Sequence, residues 1–164
     1  MVEEKVEKRA LRIRPAETRD LAAITACAEA AYAKYVARIG RKPAPMVADF
    51  ESQIAAGEVH VAVAWEGVGD EEFLGYVVCY PKDGLMHLGN VAVRPEAQGR
   101  GAGRALIDFV EDKARADGLP AVDLYTNAKM TENLALYPAL GFRETDRRTE
   151  DGFDRVFFIK ELAG

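Results

Sequence analysis

Leu85-Met86-His87-Leu88-Gly89-Asn90-Val91-Ala92-Val93-Arg94-Pro95-Glu96-Ala97-Gln98-Gly99-Arg100-Gly101-Ala102-Gly103-Arg104-Ala105-Leu106-Ile107-Asp108-Phe109-Val110 is the stretch around which the chain is organised. Its first part is apolar and ends in β-branched residues, which suits a buried strand. Pro95 cannot continue that strand and holds Arg94 extended. Glycines then alternate with larger residues, and Ala102, Leu106, Phe109 and Val110 recur on one helical face. Strand, glycine-rich turn and helix thus follow one another. The first N–H groups of a helix lack internal partners and carry partial positive charge. Glycines let an anion reach those groups, and Arg100 and Arg104 add full positive charge. A phosphate or pyrophosphate is the natural guest, although a plain tight turn with glycines for packing reads equally well from this stretch alone.

Three phosphate motifs compete for the turn. No Gly-x-x-x-x-Gly-Lys-Ser/Thr run exists. A dinucleotide fingerprint, Gly-x-Gly-x-x-Gly, would begin at Gly99 and Gly101 but meets Arg104 at its third glycine. Asp123 stands about where a ribose-binding acid would, yet no βαβ unit precedes the glycines. The third pattern, Gln/Arg-x-x-Gly-x-Gly/Ala, is filled completely by Gln98-Gly99-Arg100-Gly101-Ala102-Gly103. Following Val91-Ala92-Val93-Arg94-Pro95, that hexapeptide resembles the acetyl-CoA-binding segment of the GNAT superfamily of N-acetyltransferases.

Composition narrows the classes. A chain of 164 residues is one domain with room for a sizeable core, here expected over residues 11–164 behind a polar tail of residues 1–10. The net charge of −5 disfavours a nucleic-acid partner and tolerates cationic amines. Cys27 and Cys79 lie in apolar runs and read as core residues of a reducing compartment. No apolar run is long enough to span a membrane, and the start lacks a signal-peptide core, so the cytoplasm is the expected location. No His, Cys and carboxylate cluster has metal-ligand spacing, and no metal is expected.

In chain order, Leu11 to Arg14 alternates like a first strand that Pro15 ends. Leu21, Ile24, Ala28, Ala31 and Tyr35 form a helical stripe stopped by Gly40. A second helix is expected over Met46 to Ala56, with Val47, Phe50 and Ile54 buried. Val59 to Trp65 and Phe73 to Tyr80 read as strands, and Pro81-Lys82-Asp83-Gly84 turns back into the Leu85 strand. The helix after Gly103 ends near Ala116. Ala121 to Thr126 then lies beyond a helical crossover, parallel to the Leu85 strand. Asn127 to Gly141 reads as a loop and short helix, before a last hairpin over Phe142 to Thr149 and Phe153 to Lys160.

Asn133, Tyr137, Gly141 and Phe142 make a second pattern, Asn-x-x-x-Tyr-x-x-x-Gly-Phe, which matches another signature of the same superfamily. Both signatures stand in the right order, so the resemblance covers about Leu11 to Lys160. It implies an α/β fold: a GNAT-like mixed, mostly antiparallel central sheet with helices on both faces. It implies acetyl transfer from acetyl-CoA to a primary amine by direct attack on the thioester. Asn90, Val91, Ala92 and Val93 would face the pantetheine and thioester. Gln98, Gly99, Arg100, Gly101, Ala102, Gly103 and Arg104 would hold the pyrophosphate, and Asn133 would touch the CoA arm.

Tyr137 matches the tyrosine that gives a proton to the leaving thiolate, and Pro138 directly after it should kink the helix. His87 stands where the family often has a glutamate base; it equally suits a packed histidine. Strand alternation would put His87, Gly89 and Val91 on one face. The first two helices often wall the acceptor cleft in this superfamily, so Tyr32, Tyr35, Arg38 and Arg41 are substrate candidates. The acceptor stays open: a polyamine, an amino acid, an antibiotic-like amine or a protein amine. The last strands offer edges on which two copies could pair. The alternative function is a non-catalytic acyl-CoA-binding module.

Overall fold

Short links build the first half of the sheet. The computed structural model describes residues 10–163, so the expected polar tail lies outside the described residues except for Ala10, which opens the first strand. Strands β1 (Ala10–Pro15), β2 (Val59–Trp65), β3 (Glu72–Lys82) and β4 (Leu85–Val93) form an antiparallel run. Helices α1 (Leu21–Ile39) and α2 (Phe50–Ala55) fill the gap between β1 and β2. Helix α3 (Ala102–Ala116) then crosses over to β5 (Ala121–Asn127), which pairs parallel with β4. After helix α4 (Thr131–Ala139) come β6 (Arg143–Glu150) and β7 (Phe153–Glu161). The seven strands lie in the order β1-β2-β3-β4-β5-β7-β6.

The late strand β7 inserts beside β5 because it carries the apolar alternation: Val156 and Phe158 are buried. Strand β6 reads Arg143-Glu144-Thr145-Asp146-Arg147-Arg148-Thr149-Glu150 and takes the exposed edge. Charged residues on an edge deter further strand pairing.

Each face of the sheet has its own core. Leu106, Val110 and Ala114 of α3 pack with Val77, Met86, Leu88, Val122 and Val156 on one side. Ile24, Ala28 and Tyr35 of α1 pack with Val61, Val63, Tyr76 and Val78 on the other. Cys27 and Cys79 are free and buried, and burial pushes their thiols up to about 12 and about 11, far from nucleophilic service.

The second helix differs from expectation. Residues Ala44–Val47 form a 3-10 turn, and the α-helix begins only at Phe50. Asp49 is the reason: its carboxylate accepts from the Ser52 backbone N–H at 3.2 Å and from the Ser52 hydroxyl at 2.8 Å, capping a helix that starts after it. Val47, expected to be buried, is 65% exposed. No helix among the described residues is long and apolar enough to cross a membrane.

Candidate active site

The parallel pair β4–β5 is joined only at Met86↔Val122 and His87↔Asp123. Beyond those pairs the strands part. A bulge at Gly89 marks the point. Val78 pairs with Asn90 and Cys79 with Leu88, which leaves Gly89 as an extra, bulged residue in β4. A bulge bends its strand and ends local pairing. A cleft of about 620 Å³, counted to its open mouth, occupies the gap; its walls include Leu88 to Val91 of β4 and Leu124 to Asn127 of β5.

The same bulge corrects the expected alternation. One inserted residue reverses the phase of the strand. His87 therefore shares the α1 side of the sheet with Asn90 and Ala92, while Val91 packs against the α3-side core. Asn90, expected to meet the cofactor, has its side chain committed to protein. Its carbonyl oxygen accepts from Tyr76 Oη at 2.9 Å and Tyr32 Oη at 3.4 Å, and its amide donates to the Pro45 carbonyl at 3.4 Å. Tyr32 also donates to the Val91 carbonyl at 2.8 Å. What remains for a ligand here is the backbone edge of β4 that has lost its β5 partner.

At the end of β4 the chain turns through Gly99 and Gly101, with φ of +83° and +86°, a region costly for any residue with a Cβ. Helix α3 starts directly after Gly101, so the N–H groups of Ala102, Gly103 and Arg104 have no helical acceptor. A Cβ placed on Gly99 or Gly101 would meet no atom within 4 Å, and one on Gly103 would meet only Val93 Cγ2 at 3.6 Å. The start of α3 is therefore open at these glycines, and its partial positive charge suits an anion such as a pyrophosphate. Gln98 is exposed beside it. Arg100 is turned to Glu72, with contacts of 2.8 and 3.0 Å, and Arg94 also bonds Glu72 at 2.7 Å. These arginines hold the Glu72 carboxyl down at about 2. Arg104 lies 3.5 Å from Asp108 on the exposed side of α3.

Tyr137 and Asn133 come from α4 and line the same cleft. Tyr137 is buried against Phe142 and Phe158, its hydroxyl has no hydrogen bond to a described residue, and burial pushes its phenol up to about 12. Asn133 donates to Thr126 Oγ1 at 3.1 Å. Helix α4 continues through Pro138 to Ala139. Pro138 falls in the last turn, which closes at once through Phe142 N–H to the Tyr137 carbonyl, as in a Schellman ending.

His87 does not line the cleft. Its side chain is 7% exposed, with Nδ1 3.1 Å from Asp123 Oδ1 and its ring beside Tyr80 and Tyr125. Its Cδ2 edge faces Gly89, 3.8 Å from where a Cβ would stand, and Gly89 does line the cleft. His60 is packed on Phe109 instead.

Of the four acceptor candidates only Tyr32 lines the cleft. Tyr35 and Arg38 both bond Glu132 at the start of α4, and Arg41 bonds the Asp151 carbonyl and covers Phe153. They tie α1 and the loop after it to α4 and to the β6–β7 turn. Sequence reasoning weighed Asp123 only as a ribose-binding acid and missed Tyr125 and Arg155. Alternation along β5 could have placed Asp123 and Tyr125 on one face; Arg155 depends on the pairing of β7 with β5, which no local pattern reveals. Among the described residues no group of three or more His, Cys, Asp or Glu gathers as metal ligands.

A mostly antiparallel sheet, covered by helices on both faces and split beside a bulge at the parallel pair β4–β5, defines the class of the protein as an α/β fold. The family description Acetyltransferase (GNAT) family matches residues 24–142, and the chain belongs to that family. Mycothiol acetyltransferase of Arthrobacter sp. (strain FB24) is 48% identical over 60 residues, 34% of this chain and 17% of that protein. The chain therefore spans only a small part of that curated relative. The crystal structure of the ribosomal-protein-S18-alanine N-acetyltransferase from Escherichia coli is similar with a TM-score of 0.69 and 25% identity, over 94% of this chain and 97% of that one. PaiA N-acetyltransferase from Thermoplasma acidophilum, solved in complex with coenzyme A, shares the fold at a TM-score of 0.69 and 16% identity, over 93% of this chain and 99% of that one.

Proposed function

We propose that this chain moves an acetyl group from acetyl-CoA to a primary amine. One observation carries the reading: the cleft at the Gly89 bulge is walled by Tyr137 and by the strand β4 that continues into the open glycine turn at the N-terminus of α3. Family membership and a neighbour solved with coenzyme A support it.

The N–H groups at the start of α3 hold the diphosphate, and the freed edge of Asn90 to Val93 aligns the thioester arm. Asn133 positions that arm from α4. The amine must attack as the neutral form, which for a lysine-like pKa costs roughly 4–5 kcal/mol at neutral pH. His87, held by Asp123 through Nδ1, accepts the amine proton through water over Gly89. The nitrogen–carbon bond forms as the carbon–sulfur bond breaks, and Tyr137 gives its proton to the thiolate. A phenol held near 12 is protonated throughout the working range.

The proposed location is the cytoplasm, supported by two buried free thiols. If two copies pair along the last strands, β6 is the edge they would use; light scattering decides that point. The decisive experiment is release of free thiol from acetyl-CoA, measured with and without an amine panel. Amine-dependent release is expected. Binding of acetyl-CoA with no release for any amine would leave a non-catalytic carrier module in its place.

A further inference from the structure

Among the described residues, Arg155 is the one charged residue in the wall of the cleft. It is also an unusual charge to find there. Its side chain is 10% exposed, yet among the described residues its hydrogen bonding consists of Nη1 to Glu150 at 3.0 Å, with Asp151 at 3.7 Å. Glu150 is shared with Arg148 at 3.1 Å, so it does not serve Arg155 alone. The Nε and Nη2 donors have no hydrogen-bond partner among the described residues. A largely covered guanidinium whose carboxylate partners engage only Nη1 has two donors left over, and a further anion would offset its desolvation.

The surroundings fix where that anion would sit. The Arg155 guanidinium carbon lies over the Tyr125 ring at 4.3 Å and 5.7 Å from the Phe153 ring, and Arg41 covers Phe153 at 3.7 Å. Neighbouring Val156 points to the α3-side core, so alternation sends Arg155 to the α1 side, away from the helix that holds the carrier. The ring contact restrains the guanidinium, and Nε and Nη2 together are placed as a bidentate donor pair. Among the described residues the cleft wall contains no Asp or Glu. A diamine, a polyamine or an aminoglycoside would bring a second cation toward Arg155 with no acid in the wall to receive it.

We infer that the acceptor is a small monoamine bearing a carboxylate, which Arg155 binds while the amine faces the thioester. The inference rests on the acetyl-transfer reading and adds the substrate class to it. Two chain-matched sets test it by thiol release: alanine, alaninamide and propylenediamine; then ω-aminopentanoate, its carboxamide and cadaverine. The carboxylate member of at least one set is expected to be preferred by on the order of 10- to 100-fold in kcat/KM, the range of one charged hydrogen-bonding pair. Arg155→Gln should collapse that ratio toward unity, chiefly through KM for the carboxylate acceptor, and Arg155→Lys should recover part of it. A wild-type preference for the diamines or amides overturns the inference whether or not the variants fold. So does an Arg155→Gln loss that is equal for acid and amide. Failure of every amine to release thiol would instead overturn acetyl transfer itself, and the acceptor class with it.

Discussion

Tyr137 shows how burial and chemistry combine in one side chain. Desolvation alone raises its phenol, with no charged neighbour involved, so it stays protonated near neutrality, as the proposed acid role requires. Tyr137→Phe keeps the ring contacts with Phe142 and Phe158 and removes only the hydroxyl. We expect kcat to fall about 100-fold, within the range for a general acid, with acetyl-CoA affinity changed less than about twofold. Turnover and equilibrium binding measured on the same preparation check it, and undiminished turnover would remove the acid role. Glu72 makes a different prediction. Its folded value of about 2 lies below the ordinary 4.5, so ionised Glu72 stabilises the fold above about pH 4.5. That contribution is lost as pH falls through about 2. The melting temperature of Glu72→Gln should therefore lie below wild type at neutral pH and converge with it in acid; a constant gap would refute the assignment.

Among the elements, the turn from β4 into α3 separates stability from binding. Gly101 has a positive φ and pays strain if replaced, whereas Gly103 is helical and has room for a methyl group. Gly101→Ala should cost about 1 kcal/mol of stability. Gly103→Ala should leave stability level or raise it by up to about 1 kcal/mol, since alanine favours helix. Both should weaken acetyl-CoA binding, because the methyl of Gly103→Ala enters the space assigned to the diphosphate. Denaturant melts and acetyl-CoA titrations of the two variants test this together. Unimpaired binding by Gly103→Ala would mean that the carrier lies elsewhere.

Across the molecule, the sheet is cored on both faces yet split between β4 and β5, and the split is bridged from outside. Glu132 bonds Tyr35 and Arg38, and Arg41 reaches the β6–β7 turn. These ties keep α1 in place over a cleft that the strands themselves leave open. A ligand that binds there only in the folded state must stabilise the whole chain. At one hundred times its dissociation constant, acetyl-CoA should add about 2.7 kcal/mol. Thermal melts across a concentration series measure it, and hydrogen exchange should show new protection at residues 88–93 and 99–104. A melting point that ignores acetyl-CoA would contradict the cleft as its site.

Local order was open to inspection in the chain itself. The alternation of β1 to β3, the stripes of α1 and α3, the glycine turn and the Asn133–Tyr137 pattern depend on neighbours within a few residues, where sterics and periodicity decide the outcome. Even so, Asp49 capped the second helix later than its apolar spacing suggested. Tertiary structure alone decided that Gly89 would bulge, that His87 would fall to the α1 side beside Asp123, and that Arg155 would enter the cleft wall. Each of these follows from which strand lies alongside which. Register couples residues far apart in sequence, and a single inserted residue reverses every side chain beyond it, so no local pattern could carry that information.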